Sequence, residues 1–136
     1  MVSAGIVGLV FDASALIDIA DADRALLTLI AERLAPVIIP TAILEEVETL
    51  SEADCTVLGL TVVEPALDQL TEAAVRRGRL SEEDHLSLIV ARDGGAICVT
   101  SDGALYDECV AAGVEVWRGL RPLIRLVELG HLVSRV

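Results

Sequence analysis

The stretch VFDASALIDIA, residues 10–20, decides how the chain is read. A strand-like apolar run, Leu9-Val10-Phe11, stops on a carboxylate, Asp12, and Asp18, Asp21 and Asp23 follow closely. A run that stays apolar without alternating belongs to a strand buried on both faces, which predicts a strand over 6–12. The acid at its carboxyl end has two readings. It caps the helix that follows, or it serves chemistry there, because ligands of open parallel sheets bind beyond the carboxyl ends of the strands.

Outward from this stretch, strands and helices alternate. Helices are predicted over 14–20 and 22–34, a second strand over 36–40, and a helix opened by Pro40 and Thr41 that runs over 41–54. A third strand or edge piece covers 60–65, and helices cover 66–77 and 82–92. A fourth strand spans 95–100, and the next helix is stopped by Gly113. A fifth strand covers 114–117, and a last helix closes the chain. This alternation predicts an α/β fold of three layers, a central parallel sheet of about four to five strands flanked by helices. With 136 residues and no linker or repeat, the chain reads as one domain, 1–136.

Composition narrows the function. Hydrophobic residues make up 54% and aromatic ones 2%, so the core is aliphatic. No apolar run is long enough for a membrane helix, and the N-terminus lacks the basic region of a signal peptide. Cys55, Cys98 and Cys109 fit neither a zinc site nor a disulfide framework, and read as buried thiols of a cytoplasmic protein. The net charge of −12 opposes docking on nucleic acid or on an anionic membrane, so an anionic substrate needs a local remedy. All ten basic residues are arginine. That excludes a lysine-dependent phosphate loop and argues against a third possibility, a receiver domain with strand-end aspartates.

The acids each have a plain reading. Glu45, Glu46 and Glu48 follow Ile43 and Leu44, and helical phase puts Glu45 opposite the apolar face and Glu46 on its flank. Glu46 is therefore either part of a solvated stripe or the member that leans into a cleft. Ser81 and Asp84 have capping-box spacing, and Asp102 has the position of a cap. Taken together, acids stand after strand one, after strand two, at a helix start and after strand four. In a parallel sheet these places share one edge. Carboxylates so gathered repel and their pKa values rise unless cations sit among them, and Mg²⁺ or Mn²⁺ suits such oxygen donors.

The order of these motifs, VFDASALID, IIPTAILEEVE and LSEEDHLSLIVARDGGAICVTSDGAL, resembles that of PIN-domain ribonucleases. The tail GVEVWRGLRPLIRLVELGHL is similar to that of small prokaryotic PIN proteins of the VapC toxin type. The resemblance implies four catalytic, metal-binding acids at Asp12, Glu46, Asp84 and Asp102. It also implies polar residues near substrate at Ser14 and Thr100, and hydrolysis of RNA that leaves a 3′-hydroxyl and a 5′-phosphate. Further implications are Mg²⁺ or Mn²⁺ as cofactor, an antitoxin protein as partner and a homodimer. Arg76, Arg77 and Arg79 form the one basic cluster. It is either an RNA-backbone contact or a solvated helix end. Because basic residues are sparse, the alternative is a non-catalytic PIN-like protein-interaction module.

Overall fold

In the computed structural model, which describes residues 5–75 and 78–133, five strands form one sheet. They are β1 (Leu9–Phe11), β2 (Val37–Pro40), β3 (Thr61–Val63), β4 (Ile97–Thr100) and β5 (Val116–Arg118), in the order β3-β2-β1-β4-β5. Every pairing is parallel, with Leu9 opposite Val37 and Ile97, Ile39 opposite Val62, and Thr100 opposite Arg118. Parallel neighbours need crossovers. Helices α1 (Ala13–Ala22), α2 (Ala25–Arg33), α3 (Thr41–Leu44) and α4 (Glu52–Leu58) supply them on the way out to β3. Helices α5 (Leu67–Val75) and α6 (Glu82–Gly94) return the chain past β1 to β4, α7 (Gly103–Ala111) leads to β5, and α8 (Arg121–Glu128) follows. The strand order reverses between β1 and β4, and such a reversal opens a crevice at the carboxyl ends of the two strands.

Side-chain alternation explains why the strands read as unbroken apolar runs. Leu9 and Phe11, Val37 and Ile39, and Ile97 and Val99 enter one core with Leu16, Leu27, Ile30, Cys55 and Leu126 from α1, α2, α4 and α8. Val10 and Cys98 point the other way, onto Leu88 and Ala91 of α6 and Leu105 and Cys109 of α7. Helix α5 packs outside α6 through Ala73 against Leu86 and Ile89. Both faces are thus covered, and the fold is the three-layer α/β arrangement the alternation predicts. No helix among the described residues is long and apolar enough to cross a membrane.

One predicted element is wrong. The helix expected over 41–54 is two helices with a turn between them. After Leu44 the backbone tightens: the Glu46 N–H bonds to the Ile43 carbonyl at 3.1 Å and the Val47 N–H to the Leu44 carbonyl at 3.0 Å, three-residue spacings that end an α-helix. A new start follows. Ser51 Oγ accepts from the Asp54 N–H at 3.0 Å, and the Asp54 carboxylate accepts from the Ser51 N–H at 3.0 Å. This capping box competes for the backbone that a continuous helix would use. The Arg24 guanidinium, bonded to the Thr49 carbonyl, ties the turn to α2's first turn. Ile43, Leu44, Val47 and Leu50 are buried all the same, so the apolar pattern was read correctly and only the helix between its members was not.

Phe11 is the chain's only phenylalanine and is fully buried in the central strand. Phe11→Ala should cost about 3–5 kcal/mol of stability in urea unfolding; a loss below about 1 kcal/mol would contradict this packing.

Candidate metal centre

The crevice between β1 and β4 is built around Asp12. The Asp12 N–H continues the ladder by bonding to the Val99 carbonyl at 3.1 Å, and its side chain then caps α1, with Oδ1 accepting from the Ala15 N–H at 2.9 Å. The carboxylate is 1% exposed, and burial of a charge is costly unless donors surround it. Two hydroxyls serve that need. Thr100 Oγ1 donates to Asp12 Oδ2 at 2.5 Å, and Ser14 Oγ lies 3.0 Å and 2.9 Å from Oδ1 and Oδ2. Burial raises the Asp12 pKa first of all, against the lowering effect of Thr100, Ala15 and Ser14, and the charge of Asp102 adds to the rise.

Thr100 and Ser14 were expected near substrate, yet both hydroxyls are engaged with Asp12. Thr100 is fully buried and accepts from the Asp102 N–H at 2.9 Å, so its proton is directed at Asp12. Ser14 accepts from the Ser101 N–H at 3.2 Å. Asp102 in turn caps α7, Oδ1 accepting from the Ala104 and Leu105 N–H groups at 2.7 Å and 3.3 Å. The two acids therefore cap two helices and stand over neighbouring strands, joined through one threonine. Ser101 Oγ also donates to Asp18 Oδ2 at 2.9 Å, a link between α1 and the β4–α7 junction that is not apparent from the sequence.

Asp84 shows that a shared local motif leaves room for different chemistry. Ser81 Oγ accepts from the Asp84 N–H at 3.1 Å, as Ser51 does from Asp54. The Asp54 carboxyl is held below its ordinary value by its bonds to Ser51. The Asp84 carboxyl is raised instead, by burial first and then by the charges of Asp12 and Asp102. Glu46 sits in the turn after α3. Its side chain is exposed at the surface, but its carboxyl is raised by loss of nearby water and by Glu83, Asp84 and Asp12. Glu83 is half-buried beside this group and was overlooked in the sequence, where the SEED run offered only Asp84 as a candidate.

Asp12, Glu46 and Asp84 thus each sense a neighbouring carboxylate, and no arginine among the described residues forms an ion pair with any of the four expected acids. As they stand, however, no three His, Cys, Asp or Glu side chains among the described residues are arranged to share one ion. The donor chemistry, carboxylate oxygen throughout, fits a hard divalent cation. The expected basic cluster is placed in part: Arg76 and Arg77 lie outside the described residues, and Arg79 turns to α7, pairing with Asp107 at 3.8 Å and Glu108 at 3.9 Å.

Two outcomes follow from these shifts. Thr100→Val removes a donor that lowers the Asp12 pKa, so the pKa should rise further in a carboxyl NMR titration; an unchanged value would refute the role of Thr100. For Asp84, a folded-state pKa above the unfolded one means that its favourable contribution is complete below the ordinary carboxylate range and is lost as pH rises through the raised value. Asp84→Asn should therefore raise Tm by roughly a few degrees near pH 7, and the gain should vanish in acid. A lower Tm at pH 7 would contradict the repulsion.

No family model matches the chain, and no curated protein matches it by sequence. Solved structures share its fold. PAE2754 from Pyrobaculum aerophilum is 25% identical, with a TM-score of 0.63 over 93% of this chain and 99% of that one. SSO1118, a PilT N-terminus domain protein from Sulfolobus solfataricus, is 15% identical, with a TM-score of 0.58 over 95% and 97%. A domain of a functionally unknown protein from Methanocaldococcus jannaschii is 19% identical, with a TM-score of 0.50 over 82% and 89%. The fold is that of a PilT N-terminus, or PIN, domain.

Proposed function

We propose that the chain is a metal-dependent endoribonuclease, the toxin of a toxin–antitoxin pair of the VapC type. The observation that carries this reading is the meeting of Asp12 and Asp102 at the reversal of strand order, joined through Thr100, with the raised carboxyls of Asp84 and Glu46 beside them. Asp12, Glu46, Asp84 and Asp102 would hold Mg²⁺ or Mn²⁺. When bound, such an ion offsets phosphate charge and polarises a phosphodiester and a water.

The chain's own residues do the rest. Thr100 and Ser14 oppose the rise of the Asp12 pKa and fix the direction of its side chain, and the Asp12 and Asp102 caps hold their carboxylates against two helix starts. In the hydrolysis, oxygen from water adds to phosphorus, the bond to the 3′-oxygen breaks, and the products end in a 5′-phosphate and a 3′-hydroxyl. A group of acids with which no described arginine pairs suits a basic antitoxin segment. A second copy of the chain is the further partner, and the free, buried Cys55, Cys98 and Cys109 fit a cytoplasmic setting. A second reading, an interaction module without catalysis, draws on the lack of a three-residue ion cage among the described residues.

The test is cleavage of a mixed RNA pool with and without Mn²⁺, by wild type and Asp12→Asn, alongside Mn²⁺ titration. Asparagine still caps a helix, so the variant should fold. Cleavage should require the metal and fall by at least about 100-fold in Asp12→Asn. Equal cleavage by the two proteins would sink the site, and absence of both cleavage and Mn²⁺ binding would favour the interaction module.

A further inference from the structure

Carboxylates consume most of the described arginines. Arg24 pairs with Asp54, Arg79 with Asp107 and Glu108, Arg92 with Glu72 and Asp93, and Arg121 and Arg125 with Glu128. Arg118 is exposed, has no ion pair among the described residues, and lies over the Tyr106 ring, 4.2 Å from its centroid.

Register fixes where this pair stands. Arg118 is the partner of Thr100 across the parallel β4–β5 ladder, and neighbouring strands run about 4.8 Å apart. Side chains alternate along a strand, so Arg118 shares the sheet face of Val116, Cys98 and Thr100. Val116 packs with Cys98 beneath α6 and α7, and Thr100 directs its hydroxyl at Asp12. Arg118 is therefore one strand away from the group that orients Asp12, on the carboxyl edge of the sheet. Tyr106 comes from α7, the helix that Asp102 caps.

The geometry points to Arg118 and Tyr106 as a nucleotide platform that receives single-stranded RNA beside the acids, an inference that rests on the endoribonuclease reading above. A guanidinium laid on a phenol ring presents a flat cationic surface. Unpaired bases stack on such surfaces, and the guanidinium edge donates to phosphate oxygens. A duplex keeps its bases stacked inside and offers only its backbone. In a chain of net charge −12, this is the local remedy that an anionic strand requires.

The platform can be tested by fluorescence anisotropy with a labelled unstructured RNA oligonucleotide, and with the same strand in a duplex, on the full chain carrying Asp12→Asn and supplied with Mn²⁺. On that background Arg118→Gln and Tyr106→Leu should each weaken single-strand binding about tenfold. Tyr106→Phe, which keeps the ring, should bind as the parent does, and Arg118→Lys, which keeps charge without the plane, should recover only part of the loss. Duplex binding should not change with Tyr106→Leu. Arg33→Gln is the control for bulk charge, since Arg33 ends α2 ahead of β2, at the opposite edge of the sheet. Parent-like binding by Arg118→Gln, an equal loss in Arg33→Gln, or no single-strand binding by the parent would each overturn the platform. Wild-type cleavage separates the two ideas. Cleavage with unchanged KM in the platform variants refutes the platform and keeps the reaction, while tenfold weaker binding without any cleavage does the reverse.

Discussion

Asp12 is a carboxylate kept out of water at the one place where the strand order of the sheet reverses, and much of the molecule is arranged to make that tolerable. Its backbone belongs to the β1–β4 ladder, one oxygen belongs to the start of α1, and the other belongs to Thr100 at the end of β4. A charge so placed carries a desolvation cost that only fixed donors offset. The donors are fixed because each is committed elsewhere: Thr100 to the Asp102 N–H, Ser14 to the Ser101 N–H. The sheet edge, two helix starts and two acids are thereby one hydrogen-bonded unit.

Around that unit the chain divides its acids into two populations. Peripheral acids such as Asp54, Glu72, Asp93 and Glu128 are satisfied by hydrogen bonds or arginine and sit below their ordinary pKa. Asp12, Asp84 and Glu46 sit above theirs, pushed by burial first and then by neighbouring carboxylates, Asp102 among them. Surface ion pairs contribute little stability. Their effect here is to take arginine out of circulation, which leaves the inner acids facing one another.

Much of this was legible in the sequence, for local reasons. LVF, VIIP and ICVT read as strands because both of their faces are buried, and Asp12 and Asp102 read as caps because each follows such a run. The break after Leu44 was hidden because the apolar spacing continues through it. The cue was Ser51 with Asp54, the same spacing recognised at Ser81 and Asp84. The basic run at residues 76, 77 and 79 drew attention because its members are adjacent in sequence, yet Arg79 is spent on α7. Arg118 and Tyr106 meet only after β5 registers with β4 and α7 folds over them, and no spacing in the chain encodes that.

The broken helix after β2 gives the acid cluster unequal mechanical properties. Asp12 and Asp102 grow from strand ends and are pinned as caps, so shifting either one disrupts a ladder or a helix start. Glu46 rides on a turn held by three-residue bonds, anchored at its far side by Arg24 and Ser51. Val47 and Leu50 of the same segment are buried in the core, so the turn is packed beneath an exposed Glu46. Two carboxylates of the cluster are thus held by strand ends and helix caps, and Glu46 by a turn between two helices. The distance of Glu46 from the strand-end acids is set by a seven-residue segment, 45–51, rather than by sheet register, so a change of length there would move one carboxylate and leave the other two in place.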